Sequence, residues 1–583
     1  MVKTVLEKYD KWMASAGGDA DLVRELRAMG NDEDAIFEAF HKELQFGTAG
    51  LRGIIGAGTN RINIYTVARA SQGIANYIRK HFNTQDFCVA ISYDSRVKSD
   101  IFAEVTAGTF AANGIKAFIY PELMPVPCLS YAVRELGCAM GVMITASHNP
   151  AEYNGYKVYN SEGCQITTNA ADEIFSEIEK LDFFDDTKKM DFNNGLEEKL
   201  IEYISGSVFD KYIKNVLSQS ISRSETEKDI KIVYSPLHGS GYVPVTTALK
   251  EAGYENVSVV AEQVRPDGDF PTCVAPNPEN KEAMSLGLKL ADERGADIVI
   301  ATDPDCDRVG VAVKINSEDN RADFRGELNG AYNFLTGNEI GILLLDYICG
   351  GRVESETMPK KPIFFKTIVT SDLAETVASH YGVETRNVLT GFKFIGEQIG
   401  FLEAKGEADR FIFGFEESYG YLVGAYVRDK DGVVASLLIC EMAAYYKAFG
   451  KTLLDRLNEI YELHGYCINS THSFEFPGAS GMDKMREIMR GLREIGTSEY
   501  EDVKAGICGL KIVEKIDYMD GIDGLPKADV IKFILEDDCS VIIRPSGTEP
   551  KIKVYLSVKS DKMADAKARE EQMLNAVDGL LVL

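Results

Sequence analysis

Apolar and polar positions along the chain alternate between two periods. Short apolar runs of the kind that form buried strands, CVAISYD (88–94), KAFIY (116–120) and MGVMI (140–144), are separated by SDIFAEVTAGTFAANG and CLSYAVRELG, whose apolar residues recur at helical spacing. The cycle restarts with IKIVY (230–234), NVSVV (256–260) and DIVIA (297–301), and a third passes through IFFKTIV (363–369) and RFIFGF (410–415). Strands alternating with helices predict α/β layers around a largely parallel sheet. Three cycles of similar order predict an internal structural repeat, although no clear repeat of the sequence itself accompanies it.

Ahead of the first cycle, residues 1–44 read as short amphipathic helices with acidic faces. The polar, Ser-rich LSQSISRSETEKD (217–229) reads as a linker. Long helical stretches run from Val433 to Leu463, and the texture changes after His464-Gly465 to a smaller α+β unit that ends in a helix. These breaks divide the 583 residues into 1–216, 217–325, 326–464 and 465–583, within the three to five domains or so that such a length predicts.

Charge narrows the partners. Lys plus Arg is 63 against 90 for Asp plus Glu, a net charge of -27, which disfavours nucleic acid and anionic membranes. An anionic small molecule then needs a locally basic pocket. The 11 cysteines are scattered with no CxxC pair, so they read as buried apolar residues in a reducing compartment, not as a disulfide framework or zinc site. The run IGILLLDYIC from Ile340 is short and contains Asp346, too little to span a bilayer. The N-terminal MVKTVLEKYDKWMASAGG has no apolar core of signal-peptide type. The expected location is cytoplasmic.

Four loops, each at the end of a predicted strand, can carry chemistry. TASHNP (145–150) follows MGVMI and presents Ser147 and His148 in a turn stopped by Pro150, where α/β folds build small-molecule sites. ATDPDCDRVG (301–310) alternates Asp303, Asp305 and Asp307. In an extended chain, carboxylates two residues apart lie on one side at about 6.7 Å, and a bend converges all three. Like charges that close require a cation, and all-oxygen ligands indicate a hard one, Mg²⁺ or Ca²⁺; the alternative is a solvated acidic turn. An EF-hand is rejected, because its sixth and twelfth positions hold Arg308 and Lys314 and a strand precedes it. GFEESYG (414–420) offers Glu416, Glu417 and Ser418 to vicinal hydroxyls, or is an exposed acidic pair. RPSGTEPKIK (544–553) offers Arg544 and the small-residue turn Ser546, Gly547 and Thr548 to an anion, or is a hairpin turn. Arg52 in FGTAGLRG, Lys157 in NGYK and Lys393 in TGFKFIG add cations, and Asp94 and Arg96 in SYDSR either pack beneath the Ser147 loop or form a turn of their own. A hydroxyl, a hard-metal loop, a polyol loop and a phosphate loop in this order are what phosphoryl transfer on a sugar needs.

TASHNP, DPDCDR, GFEESYG and RPSGTEP together resemble the α-D-phosphohexomutases, and the match runs from Phe46 to about Val558. FGTAGLRG, SPLHGSG (235–241) and VRDKDG (427–432) are similar to the branch that holds phosphoglucomutase-2-type enzymes and phosphopentomutases. The resemblance implies a four-domain architecture around a central cleft, three related α/β domains and a smaller α+β C-terminal one. It implies that Ser147 is a phosphoserine and that Asp303, Asp305 and Asp307 hold Mg²⁺ together with a phosphoserine oxygen. Glu416 and Ser418 would bind sugar hydroxyls, Lys393 the substrate, and Arg544, Ser546, Gly547 and Thr548 the phosphate that does not react. Lys157 would be the general base, and His148, Arg52 and Arg308 would stabilise charge on the transferred phosphoryl. The activity implied is interconversion of glucose 1- and 6-phosphate through glucose 1,6-bisphosphate. Phosphopentomutase, phosphomannomutase and glucose 1,6-bisphosphate synthase are the alternatives, and a non-catalytic sugar-phosphate binder is the rival of another class. Phosphomannomutase-type members usually carry Gly-His where this chain has Tyr419-Gly420, which favours the glucomutase-like branch.

Overall fold

The computed structural model describes the chain except residues 1, 48–49, 83–86, 222, 224–225, 227, 316–330, 477–480, 496–506, 523, 547–549 and 582–583. The described strands form four sheets. The first runs in the order Leu51–Ile54, Tyr153–Asn160, Met140–Ile144, Cys88–Tyr93, Lys116–Ile119, Ile201–Tyr203. The second is Tyr332–Leu335, Val309–Lys314, Ile298–Thr302, Ile232–Ser235, Val257–Val259, and the third Glu384–Val388, Ile363–Thr367, Phe411–Glu416, Gly420–Leu422.

These three sheets share one plan. The strands Cys88–Tyr93, Ile232–Ser235 and Ile363–Thr367 each lie between two parallel neighbours. One neighbour, Met140–Ile144, Ile298–Thr302 or Phe411–Glu416, then turns back into an antiparallel partner. Helices fill the crossovers, Ser99–Ala112 and Val126–Glu135 in the first sheet, Tyr242–Glu251 and Ser285–Arg294 in the second, Leu373–His380 and Phe392–Ala404 in the third. The internal repeat expected from the apolar periodicity is therefore real, and it lies in topology. The central strands are buried on both faces, which is why they read as continuous apolar runs.

Tyr332–Leu335 pairs antiparallel with Val309–Lys314 and so belongs to the second sheet. We place the division between the second and third units after Leu335 and not at 325. The expected linker leaves the helix Gly206–Leu217 and crosses onto the third unit, where the buried Glu441 carboxylate accepts the Ile221 N–H at 2.8 Å and the Tyr347 hydroxyl at 2.9 Å. The fourth unit is an antiparallel sheet in the order Tyr466–Glu475, Lys551–Ser560, Ser540–Pro545, Ile531–Leu535, Ile512–Asp517 with the helices Gly481–Glu494 and Met563–Leu581. It packs on the third through Ile368, Val369 and Leu389 against Tyr518, Val530, Ile542 and Tyr555.

The apolar run from Ile340 lies within the helix Gly337–Glu354, buried along most of its length and started by a Thr336–Glu339 capping box. No single described helix is long and apolar enough to cross a membrane, and the apolar pair Gly432–Ala448 and Leu453–His464 is bent by 84° between them. The N-terminal helices Val2–Ser15, Ala20–Met29 and Glu33–Phe40 pack on the first unit through Trp12, whose ring meets Phe40, Tyr65, Phe183 and Phe184 edge-on at 5.4–5.8 Å. Replacing that buried ring, Trp12→Ala, is expected to cost about 3–5 kcal/mol, read as a lowered midpoint of urea unfolding by circular dichroism; an unmoved midpoint would mean that these helices are not seated on the first unit.

Candidate active site

In each repeat the loop-bearing strand ends in a turn that holds one non-glycine residue in the left-handed region: Ser147 at φ 51°, Cys306 at φ 50° and Tyr419 at φ 62°. Such backbone is uncommon outside glycine and persists only where the surroundings enforce it. Around Ser147 the enforcement is visible. The Asp94 carboxylate, at the end of the neighbouring parallel strand, accepts the Thr145 hydroxyl at 2.6 Å, and Thr145 Oγ1 accepts the Ser147 N–H at 2.8 Å. The Arg96 guanidinium donates to the carbonyls of Pro150 at 2.8 Å and Tyr153 at 2.9 Å, and also to those of Ser147 and Asn149. SYDSR therefore packs beneath the Ser147 loop, the first of the two arrangements its sequence allows.

The Ser147 hydroxyl leaves this clamp aimed across to the second unit. Its Oγ donates to Asp303 Oδ2 at 2.7 Å and lies 3.1 Å from His148 Nδ1. Burial, Arg308 and Arg52 push the His148 imidazole down to about 2, so it is neutral. Arg52 reaches the same loop through Asn149 Oδ1 at 3.2 Å.

Asp303, Asp305 and Asp307 are all buried, with one ligand oxygen of each within 4.8 Å of the others. The turn that converges them is closed by the Asp307 and Arg308 N–H groups donating to Asp303 Oδ1, each at 3.1 Å. It is braced from behind by SPLHGSG, where the Ser240 N–H and hydroxyl donate to the Pro304 carbonyl at 2.8 and 2.7 Å. Gly239 is required there, because a Cβ would stand 2.4 Å from Pro304 Cα. Val126 N–H donates to the Asp305 carbonyl at 3.0 Å, tying the loop to the first unit.

Three cations face the triad. Lys157 Nζ lies 2.6 Å from Asp305 Oδ2 and 3.5 Å from Asp307 Oδ2. Burial would lower its pKa, but Asp305 and Asp307 outweigh burial and hold the ammonium above its ordinary range. Lys430 Nζ lies 3.2 Å from Asp307 Oδ2, and Arg308 pairs with Glu279. Burial and the neighbouring Asp305 and Asp307 push the Asp303 carboxyl upward. Even so, Asp305 Oδ1 and Asp307 Oδ1 remain buried without a hydrogen-bond partner among the described residues, a costly state for carboxylate oxygens. Two unsatisfied oxygens in an all-carboxylate cluster fit a hard divalent cation, and these residues fit Mg²⁺.

The third loop joins this centre. Tyr419 carbonyl accepts the Val309 N–H at 3.1 Å, placing Ser418 beside the metal loop. Glu416 ends its strand, accepts the Gly391 N–H at 2.8 Å and is pushed up by burial to about 7 against the pull of Lys430. At Gly420 a Cβ would stand 2.0 Å from Lys430 Cδ, so any side chain there must displace Lys430. The fourth loop faces it from the other side. Arg544 stands opposite Lys553 in the sheet, and the charge of Glu417 acts on Lys553 and Tyr555. Burial and the nearby Arg544 lower the Lys393 ammonium, so two cations from different units share one region. Ser546 N–H donates to the Lys551 carbonyl at 2.8 Å; Gly547 and Thr548 lie outside the described residues.

Ser147, His148, Arg52, Lys157, Arg308 and the three aspartates thus form one cluster, with Glu416 and Ser418 at its edge and Lys393, Arg544 and Ser546 across the third and fourth units. Residues not singled out from the sequence are Lys430, Glu279 and Thr145. VRDKDG carried Lys430 in view, but only as part of the family resemblance.

Matches to four family models now stand beside this geometry: Phosphoglucomutase/phosphomannomutase alpha/beta/alpha domain I over 43–185, domain II over 210–316, domain III over 336–464 and the C-terminal domain over 510–573. The chain belongs to the α-D-phosphohexomutase family. Among its relatives, a phosphoglucomutase of Staphylococcus saprophyticus is 37% identical over 536 residues, covering 90% of this chain and 92% of that one. One of Staphylococcus aureus is 34% identical over 543 residues, covering 92% and 93%. Among solved structures, the Paramecium phosphoglucomutase pp63/parafusin in its open form has a TM-score of 0.66 at 18% identity over 92% of this chain and 95% of that one. A phosphoglucomutase/phosphomannomutase family protein of Burkholderia thailandensis has a TM-score of 0.64 at 16% identity over 92% and 97%. These structures share the phosphohexomutase fold.

The Arg96 clamp makes a prediction for this phosphohexomutase. Arg96→Lys keeps the charge but cannot hold four carbonyls at once. Losing one such charged hydrogen bond costs about 1.5–3 kcal/mol, so amide exchange across the 145–153 loop is expected to quicken by about ten- to a hundredfold. Unchanged exchange by mass spectrometry would mean that the loop is held elsewhere.

Proposed function

We propose that the protein is a phosphoglucomutase that interconverts α-D-glucose 1-phosphate and glucose 6-phosphate, an isomerase working by phosphoryl transfer through Ser147. The observation that carries this reading is the Ser147 Oγ standing 2.7 Å from Asp303 Oδ2 at the mouth of a buried, under-satisfied aspartate triad. A binding protein has no use for a strained hydroxyl facing a cation site. The relatives named as phosphoglucomutases support the glucose assignment over mannose or ribose.

In this reading Ser147 carries the phosphoryl group, and Asp303, Asp305 and Asp307 would hold Mg²⁺. Bound there, Mg²⁺ would neutralise phosphoryl oxygens and favour in-line transfer. Glu416 and Ser418 hold the sugar hydroxyls, while Arg544, Ser546, Gly547, Thr548 and Lys393 grip the phosphate that does not react. The phosphoryl passes from Ser147 Oγ to the free hydroxyl of the sugar monophosphate and glucose 1,6-bisphosphate forms; Lys157 takes the hydroxyl's proton as a neutral amine, a form it reaches only once its ion pairs with Asp305 and Asp307 are broken and burial alone acts on it, and the released Ser147 Oγ takes up a proton. After the bisphosphate turns over in the cleft, its other phosphoryl returns to Ser147 Oγ and the product leaves. Arg52, Arg308 and neutral His148 stabilise charge on the phosphoryl in flight. The substrates are soluble sugar phosphates, and the reading places the enzyme in the cytoplasm.

Two measurements on the purified chain test this. kcat/KM is expected to be highest for glucose 1-phosphate when compared with mannose 1-phosphate and ribose 1-phosphate, and Ser147→Ala should lose nearly all turnover and all covalent phosphate. A higher value for ribose 1-phosphate would make it a phosphopentomutase, and full activity in Ser147→Ala would remove the proposed nucleophile.

A further inference from the structure

We propose that Cys88 and Cys138 form a hydroperoxide-reactive dithiol site that closes to an intramolecular disulfide. Their Sγ atoms lie 3.5 Å apart. Cys88 opens the strand Cys88–Tyr93, and Cys138 stands just ahead of the adjacent parallel strand Met140–Ile144. The Ala139 N–H donates to the Cys88 carbonyl at 2.8 Å, so the two backbones are pinned side by side. A disulfide needs the sulfurs at about 2.05 Å; the remaining approach falls to side-chain rotation at strand starts.

Access selects this pair. Cys88 is half-buried, whereas the other ten cysteines are buried. The hydrogen bond shared with Cys138 and the ammonium of Lys116 lower the Cys88 thiol towards the thiolate, while burial pushes thiols such as Cys164, Cys273 and Cys440 up. A thiolate within reach of solvent is the reactive form. Cys88 Sγ attacks the O–O bond of the hydroperoxide, forms the S–O bond of a sulfenic acid and expels hydroxide or alkoxide, which takes up a proton. Cys138 Sγ then attacks Cys88 Sγ, the S–O bond breaks, and the hydroxyl leaves as water with the Cys138 proton. Two thiols lose two electrons, and the hydroperoxide gains them.

The pair lies at the ends of these strands opposite Asp94 and Thr145, which carry the Ser147 loop. Oxidation here joins the bases of two strands and leaves the phosphoryl site open.

The test is limited hydrogen peroxide treatment of the full chain, with thiols counted after denaturation and cysteine peptides mapped without reduction. Free thiols are expected to fall from the eleven of the sequence to nine, with Cys88 and Cys138 recovered in one linked peptide before any other cysteine is oxidised. Cys138→Ser should stop at a Cys88 sulfenic acid that dimedone captures. The proposal is overturned if another cysteine reacts first, if both stay reduced while methionine sulfoxide accumulates, or if Cys88 advances to sulfinic acid beside a free Cys138.

Discussion

Repulsion among three buried carboxylates is the constraint around which this structure is arranged. Asp303, Asp305 and Asp307 are brought within 4.8 Å of one another and away from water, a state that is unstable unless positive charge compensates it. The compensation is drawn from separate parts of the chain. Lys157 comes from the first unit, Arg308 from the second and Lys430 from the third. Each supplies one cation, and the carboxylate oxygens still left over fit coordination of a metal. The units therefore need the triad as much as the triad needs them, because it is the common ion partner at their junction.

The repeat explains how one chain delivers three loops to a single point. Each α/β unit ends a parallel strand in a tight turn with a left-handed residue and returns antiparallel. One unit uses the turn to present a hydroxyl, the next three converging carboxylates, the third a buried carboxylate. The bracing lies behind the turns, in Arg96 and Asp94 under Ser147 and in Ser240 and Gly239 under Pro304. Chemistry can differ between copies of the turn because the strain is borne by those supports.

Much of this was legible in the sequence, for physical reasons. Strands buried on both faces leave continuous apolar runs, and MGVMI, DIVIA, RFIFGF and, ahead of RPSGTEP, SVIIR marked the four functional strand ends within a residue or two. The aspartate alternation was legible because no ordinary turn converges three like charges. The short strand Tyr332–Leu335 was missed, since a lone edge strand has no partner in one dimension, and we therefore end the second unit after it. Lys430 was missed because its partner Asp307 lies in another unit, and its neighbours Asp429 and Asp431 are buried and bonded to Tyr159, Tyr212 and Tyr426. Pairing across units leaves no periodic trace.

The central claim is that the triad is a cation site coupled to Ser147. It is tested most directly by titrating Mg²⁺ into the metal-free full chain in a calorimeter, beside Asp305→Asn. The structure predicts one Mg²⁺ per chain, with affinity lowered about tenfold or more in the variant. No Mg²⁺ binding to the native chain, or equal binding to both, would contradict it.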